Sequence, residues 1–408
     1  MIMKNKIMKK IPEGYKQTEI GVIPEDWKVN KLANVASLKA RIGWQGLTTA
    51  EYKDFGEYYL ITGTDFKNGF IDWENCHYVE KARYSQDKNI QIKEHDVLVT
   101  KDGTIGKVAL INRIIKPATL NSGVFVIRPF KNEFFPEYFY YLLLSKVFFK
   151  FLVQLSAGST INHLYQKDFV NFSFQVPSNI TEQTAIATVL SDTDALVEHL
   201  EKLIAKKKGI KKGAMQQLLT GKKRLPEFSG EWKVKSFGEV LSRINAKEYQ
   251  IQTSDYQETG KYPVVDQGKD LVVGYSDREG KSVQCPKGGV VVFGDHTCIV
   301  KFVNFDFVVG ADGTQILVAK SGHCTRFYAF QLAYRGIATT GYNRHFKFLK
   351  ERTFLSPDPE EQAAIVSILS DMDAEIESLE QKRDKYIMLK QGMTQQLLTG
   401  RIRIYANN

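Results

Sequence analysis

Residues 182–225 read EQTAIATVLSDTDALVEHLEKLIAKKKGIKKGAMQQLLTGKKRL, and residues 361–404 read EQAAIVSILSDMDAEIESLEQKRDKYIMLKQGMTQQLLTGRIRI. The two align without a gap, 179 residues apart, and are identical at half of their positions. That period is far longer than the roughly 20–50 residues of a solenoid repeat, so it implies a whole domain plus a connector, used twice. Fainter echoes agree. Asp26-Trp27-Lys28-Val29 returns as Glu231-Trp232-Lys233-Val234, and DVLVTKDGTIGKVALI from Asp96 has a looser counterpart in GVVVFGDHTCIVKFV from Gly289. The segments between have diverged. The connectors therefore do one shared job, and the domains between them do distinct ones.

Each connector reads as a long helix. Ile186, Leu190, Val197, Leu200 and Ile204 recur at spacings of four and three, with Thr193 in the gap, and the second copy gives Ile365, Leu369, Met372, Ile376 and Leu379. This is the a/d seam of a coiled coil. Pro177 and Pro357 lie just upstream, and Thr220-Gly221 and Thr399-Gly400 mark the stops. About 40 residues at ~1.5 Å each span ~60 Å. The seam wants a partner, and the other copy is the nearest one: two antiparallel helices with a domain near each end, related by a pseudo-two-fold axis. The alternative is two separate helices, each on its own domain. The basic run Lys206–Lys212 breaks the first seam, and reads either as a solvated face or as a phosphate or protein contact.

The remaining segments are rich in β-branched and aromatic residues and Gly turns. Val97–Thr100, Lys107–Ile111, Val124–Ile127, Val290–Phe293, Ile299–Val303 and Gln315–Val318 read as strands; Pro136–Leu155 and Thr325–Tyr334 read as helices. The expected fold is α/β (mixed α+β), in four parts: residues 1–178, a central helix 179–225, residues 226–357, and a C-terminal helix 358–408.

With 43% hydrophobic and 25% charged residues among 408, each domain can bury an ordinary core. The most apolar stretch, Phe134–Leu155, is interrupted by Glu137, Lys146 and Lys150, which argues against a membrane span. MIMKNKIMKK has no apolar core for a secretory signal, so the expectation is cytoplasmic. Cys76, Cys285, Cys298 and Cys324 form no zinc spacing and read as reduced and structural; no metal is expected. A net charge of +10 is compatible with a nucleic-acid partner.

No catalytic constellation emerges. Gly274–Ser282 resembles a P-loop but has one residue too many and lies between strand-like runs; GxGxxG after a strand, GxSxG and HExxH are absent. So is the Asn/Asp-Pro-Pro-Tyr/Phe tetrapeptide with which amino-methylating DNA enzymes hold a flipped base. Asp295-His296 as a base and its orienter reads better as a polar loop. What stands out is a binding profile. The first domain offers Lys39, Arg41, Gln45, Lys101, Thr104, Lys107, Asn121, Ser122, Thr160, Asn162 and His163; the second offers Arg243, Asn245, Lys247, His296, Thr297, Tyr342, Asn343, Arg344 and His345. Lys and Thr suit phosphates, and Arg, Asn and Gln suit base edges in the major groove. Singly each is an ordinary loop residue. Two divergent domains on one spacer suit two half-sites at a fixed separation, ~34–36 Å for centres one turn apart.

GVIPEDWKV (Gly21–Val29), DVLVTKDGTIGKVAL (Asp96–Leu110), AGSTINHLYQKDFVNFSFQVP (Ala157–Pro177) and the paired EQ…QQLLTG connectors together resemble the specificity subunit of type I restriction–modification systems, over nearly the whole chain. The resemblance implies two target-recognition domains joined by two conserved helices, each domain reading half of a bipartite double-stranded DNA site. It implies no catalysis and no cofactor in this chain. Methyltransferase subunits would carry S-adenosylmethionine and methylate adenine, and restriction/translocase subunits would use ATP. The second domain departs from the family's text, with GDHTCIVK for DGTIGK. Two other classes stay open: a coiled-coil scaffold that binds proteins only, and a free-standing nuclease or methyltransferase.

Overall fold

The computed structural model describes residues 11–156, 163–337, 341 and 343–404. The chain divides into two compact units, Met1–His199 with Arg383–Asn408, and Leu200–Lys382. Each holds one α/β module together with a portion of both connectors.

Beside two short antiparallel hairpins, Tyr15–Thr18 with Gly21–Pro24 and Phe66–Lys67 with Phe70–Ile71, the first unit is built on the strands β1 (Trp27–Lys31), β2 (Ala36–Ala40), β3 (Tyr58–Ile61), β4 (His77–Val79), β5 (Val97–Thr100), β6 (Val108–Leu110), β7 (Ala118–Leu120), β8 (Val124–Pro129) and β9 (Ser173–Pro177). A four-stranded sheet runs β6-β5-β8-β2, a three-stranded sheet runs β7-β3-β4 with β7 and β3 parallel, and β1 pairs β9. The hydrophobic runs are continuous because the larger sheet is covered on both faces. Val97, Val99, Val108, Leu110, Phe125 and Ile127 face a core built with the helices, while Leu98, Ala109, Val124 and Val126 face the second sheet. Period-two alternation thus sorts one apolar segment between two cores.

The helix expected over Pro136–Leu155 is broken. It forms α1 (Pro136–Leu144) and α2 (Lys146–Leu155), bent by 60°. Ser145 is the cause: its Oγ accepts the Val147 N–H at 3.1 Å, capping the second helix in place of a continuing turn. Tyr138–Leu143 are buried in the core. Among the described residues no single helix is long and apolar enough to cross a membrane.

The first connector is α3 (Ile180–Leu218), 39 residues long. The second unit then repeats the plan: β10 (Lys233–Ser236), β11 (Leu241–Ile244), β12 (Tyr262–Val265), β13 (Gly274–Ser276), β14 (Ser282–Val283), β15 (Val290–Gly294), β16 (Val300–Val303), β17 (Phe307–Val309), β18 (Thr314–Ala319), α4 (Thr325–Arg335), β19 (Thr353–Ser356) and α5 (Pro359–Leu397), the last also of 39 residues. Its four-stranded sheet runs β11-β18-β15-β16, its second sheet β13-β12-β17-β14 with β12 and β17 parallel, and β10 pairs β19. The four-stranded sheet, the parallel pair and the closing antiparallel pair repeat those of the first module, and β14 adds a fourth strand to the second sheet, so the diverged sequences keep one core topology. The P-loop-like segment becomes β13, a single 3-10 turn over Glu279–Lys281, and β14, with no helix to receive a phosphate.

The connectors run antiparallel in each unit and are tied by pairs that the repeat duplicates. In the first unit Arg403 chelates Glu182 (2.6 and 2.8 Å) and Asp26 (2.8 and 2.6 Å), and Lys390 pairs Asp194. In the second, Arg224 chelates Glu361 (2.7 Å twice) and Lys211 pairs Asp373. The neighbouring glutamines act alike. Gln183 and Gln362 each donate to the carbonyl of the upstream proline, Pro177 or Pro357, at 2.8 Å, and each accepts a module N–H, from Phe135 at 2.7 Å or Cys324 at 2.9 Å. The EQ dipeptide is thus a two-handed joint: Glu takes the arginine that follows the other connector, and Gln fastens its own helix to the module.

The seam is not purely coiled-coil. Ile186 and Leu190 lie in the first module's core with Leu397 and Leu398, and Ile365 and Leu369 lie in the second with Leu218 and Leu219. Leu200, Ile204 and Ile376 are buried, and Val197, Met372 and Leu379 are half-buried. Within the basic run, Lys207, Lys208 and Lys211 pair with Glu375, Glu380 and Asp373 of α5, so much of the run is a helix-to-helix contact inside the second unit. Gly221 and Gly400 end the connectors at φ 70° and 69°. Gly400 has a second reason: a Cβ there would sit 2.4 Å from Pro24 Cγ.

Candidate nucleic-acid interface

In the first unit the predicted residues gather at one end of the sheets, where β2, β3, β5 and β7 finish and β6 and β8 begin. The Thr100 hydroxyl organises the loop there: it donates to the Thr104 carbonyl at 2.5 Å and accepts the Lys107 N–H at 2.9 Å. Gly103 and Gly106 take φ 67° and 79°, and a Cβ on Gly106 would come within 2.4 Å of Leu152. This is why the loop reads GTIG. Lys101 joins two neighbouring segments to it, its N–H donating to Gly123 O (2.9 Å) and its carbonyl accepting from Leu164 N (2.8 Å), while its Nζ lies 5.3 Å over the Phe125 ring. Lys39, Thr104 and Lys107 are exposed; Lys101, Ser122 and His163 are half-buried. His163 Nδ1 pairs with the Asp102 carboxylate, and its ring lies 4.5 Å from that of exposed Tyr165.

Three residues expected to meet DNA face inward instead. Arg41 is 1% exposed; its guanidinium donates to Leu120 O (2.8 Å), Thr119 Oγ1 (3.1 Å), Gln86 Oε1 (3.2 Å) and Arg83 O (3.4 Å), and burial lowers its pKa. It clamps the loop after β2 to β7. Gln45 is buried, with no hydrogen-bond partner for Oε1 among the described residues. Asn121 is half-buried and committed to Tyr52 Oη (2.6 Å) and the Ser122 N–H (2.8 Å). Thr160 and Asn162 lie outside the described residues.

The second unit uses the same end differently. Asp295, 2% exposed, accepts the Phe346 N–H at 2.7 Å on Oδ1, and its carbonyl accepts the His345 N–H at 2.8 Å. His345 is fully buried with Nδ1 3.0 Å from the same carbonyl, so it serves the loop's architecture and not base contact. The imagined base and orienter dissolves as well, since the Asp295 carboxylate holds the Phe346 N–H. Asn245 is a cap, its side chain reaching the Lys247 N–H (3.4 Å) and Glu248 (2.8 Å). Arg243, Lys247, Thr297, Asn343 and Arg344 are exposed and His296 is half-buried; Arg243 lies 5.6 Å over Phe346. Tyr342 lies outside the described residues.

Sequence reasoning missed Gln267 and Lys301. Gln267 accepts the His296 N–H (3.2 Å) on its side chain and Thr297 Oγ1 (2.7 Å) on its carbonyl, and donates to Asp312 O (2.8 Å). Buried Lys301 donates to the carbonyls of Asp266 (2.9 Å) and Asp270 and pairs with the Asp266 carboxylate at 3.6 Å; burial lowers its pKa. It holds the loop that carries Gln267. A lysine midway along a β-branched strand, at Val300-Lys301-Phe302-Val303, was the available signal. Lys301→Met is expected to lower stability by about 1–3 kcal/mol through stranded carbonyls. Urea unfolding reads the loss, and faster amide exchange over Gln267–Asp270 locates it.

Among the described residues no group of three or more His, Cys, Asp or Glu could hold a metal. One module thus occurs twice, with a shared sheet order and unlike polar ends. The chain belongs to the family described as type I restriction modification DNA specificity domain, which matches residues 24–208 and 229–386. It is 27% identical to the putative type I restriction enzyme MjaX specificity subunit of Methanocaldococcus jannaschii, across 96% of this chain and 97% of that one. It is also 27% identical over 184 residues to the EcoBI specificity subunit of Escherichia coli, 45% of this chain and 38% of that one. The solved S subunit from M. genitalium has this fold, at a TM-score of 0.63 and 16% identity over 91% of this chain and 96% of that one. Members of the family are specificity subunits, the non-catalytic components of restriction–modification systems.

Proposed function

We propose that this specificity subunit reads a bipartite duplex target, the module of each unit taking one half, and docks adenine methyltransferase and restriction/translocase subunits. One observation carries the reading: the same end of the same sheet topology carries Lys39, Lys101, Thr104 and Lys107 in one module and Arg243, Lys247, Thr297, Asn343 and Arg344 in the other. Equal scaffolds with unequal polar ends suit two different half-sites. The connectors, tied by duplicated Glu–Arg and Asp–Lys pairs, suit a spacer of set length and a partner that meets the same motif twice. The chain itself takes no cofactor; S-adenosylmethionine and ATP belong to the partners, and the methyltransferase flips the target adenine into its own pocket.

Methylome mapping tests this, after co-expressing the chain with its neighbouring methyltransferase subunit in an unmethylated host. The expected result is a bipartite motif modified at adenine in both halves and absent when the chain is omitted. No new motif, with the methyltransferase folded and bound, would sink the reading and favour a protein-only scaffold.

A further inference from the structure

The loop after β2 carries a feature that phosphate and base-edge contacts leave unused. Trp44 is 78% exposed and Ile42 53% exposed. The other three tryptophans, Trp27, Trp73 and Trp232, are buried or half-buried. The backbone beneath Trp44 is fixed on both sides. Arg41 is locked by its four hydrogen bonds, and Gln45 is buried. The 3-10 turn Gly43–Gln45 is closed by Gln45 N–H to Ile42 O (2.9 Å) and Gly46 N–H to Gly43 O (3.0 Å). The indole is therefore presented on an anchored turn.

That turn leaves the sheet at the end that carries Lys39, Lys101 and Lys107, so its surroundings are complementary to a polyanion. The equivalent segment of the second unit, the 3-10 turn Ala246–Tyr249 after β11, holds no exposed aromatic, and Tyr249 packs on the core there. Wedge side chains that unstack a base step, and aromatic platforms that take a base face, are the established uses of such a residue beside nucleic acid.

We propose that Trp44 is a wedge that stacks on base faces and opens one step of the half-site under the first module, and that the second half-site is read without one. The proposal rests on the first module being a DNA reader. The test uses the full-length chain and its target duplex, with 2-aminopurine placed in turn at each step. Wild-type protein is expected to brighten the probe at one step of the first half-site and at none of the second. Trp44→Ala is expected to abolish the brightening and weaken target binding about 10–100-fold. Trp44→Phe keeps part of both, and the salt dependence of binding stays the same in all three, which separates stacking from phosphate neutralisation. Because Trp44 is exposed, these variants fold as the wild type does. Unchanged brightening, with affinity within twofold in Trp44→Ala, would overturn the wedge while leaving the module a DNA reader. Wild-type protein that fails to prefer its target over a scrambled duplex would overturn both readings.

Discussion

Replacing Arg403 with alanine is expected to destabilise the first unit by about 3–5 kcal/mol, the loss typical when one member of a buried ion pair is removed. The Arg403 side chain is 16% exposed and Glu182 7%. Hydrogen bonds to Glu182, then to Asp26, hold the guanidinium pKa above its usual value against the opposing effect of burial. Alanine would leave the Glu182 carboxylate buried without its cation and would strip a cation–π contact, 5.7 Å, from the fully buried Trp27. The repeat supplies an internal control. Arg224→Ala breaks the equivalent pair, but Glu361 there also accepts the Trp232 indole N–H at 2.9 Å, whereas Trp27 Nε1 has no hydrogen-bond partner among the described residues. The expected order is therefore Arg403→Ala worse than Arg224→Ala, by urea unfolding. The double change Glu182→Leu with Arg403→Met should recover most of the loss, because no charge is then stranded. Equal and small effects of both single changes would mean that solvent, not the pair, satisfies these glutamates.

The Arg403 pair also shows where sequence was informative and where it stopped. The connectors were legible because a 3.6-residue period and terminal Gly signals are local, and 39-residue helices ending before Gly221 and Gly400 follow from them. Six strands of the two four-stranded sheets, β5, β6, β8, β15, β16 and β18, were legible because their apolar runs are continuous, and their ends differ only by a residue or two; the remaining strands were not read from the sequence. The Glu182–Arg403 contact spans 221 positions, yet the repeat held the clue: Glu182 aligns with Glu361 and Arg224 with Arg403, charges kept at both ends of a connector whose middle drifts. The break at Ser145 is not legible because a single hydroxyl in an apolar stretch does not announce whether it will cap or face outward. Arg41 and His345 were misassigned for a deeper reason. Residue type says that an arginine or histidine can meet a base edge; whether it turns inward depends on acceptors such as Leu120 O and Asp295 O, which only the fold brings near. The same limit hid Gln267 and Lys301, whose partners lie on neighbouring loops.

The triple change Lys39→Gln, Lys101→Gln and Lys107→Gln is expected to weaken duplex binding by about two to three orders of magnitude at low salt. The slope of log K against log salt should become shallower by about 0.9 for each phosphate no longer neutralised, and the preference for the first half-site should persist. The reasoning is positional. All three lysines lie at the end of the sheets where β2 and β5 finish and β6 begins, and Lys39 and Lys107 are exposed. Lysine is a mobile point charge that suits phosphate and carries little sequence information. Asn343 and Arg344 of the second module can instead make bidentate contacts, so their removal should relax the second half-site with a smaller change in slope. Lys207, Lys208 and Lys211 of α3 already face carboxylates of α5, so Lys207→Gln with Lys208→Gln should leave the slope unchanged. Binding measured against salt, on duplexes altered in one half at a time, separates these outcomes. An unchanged slope in the triple variant would place the phosphate backbone away from this end of the first module. An altered half-site preference would assign base contact, in place of phosphate contact, to one of these lysines.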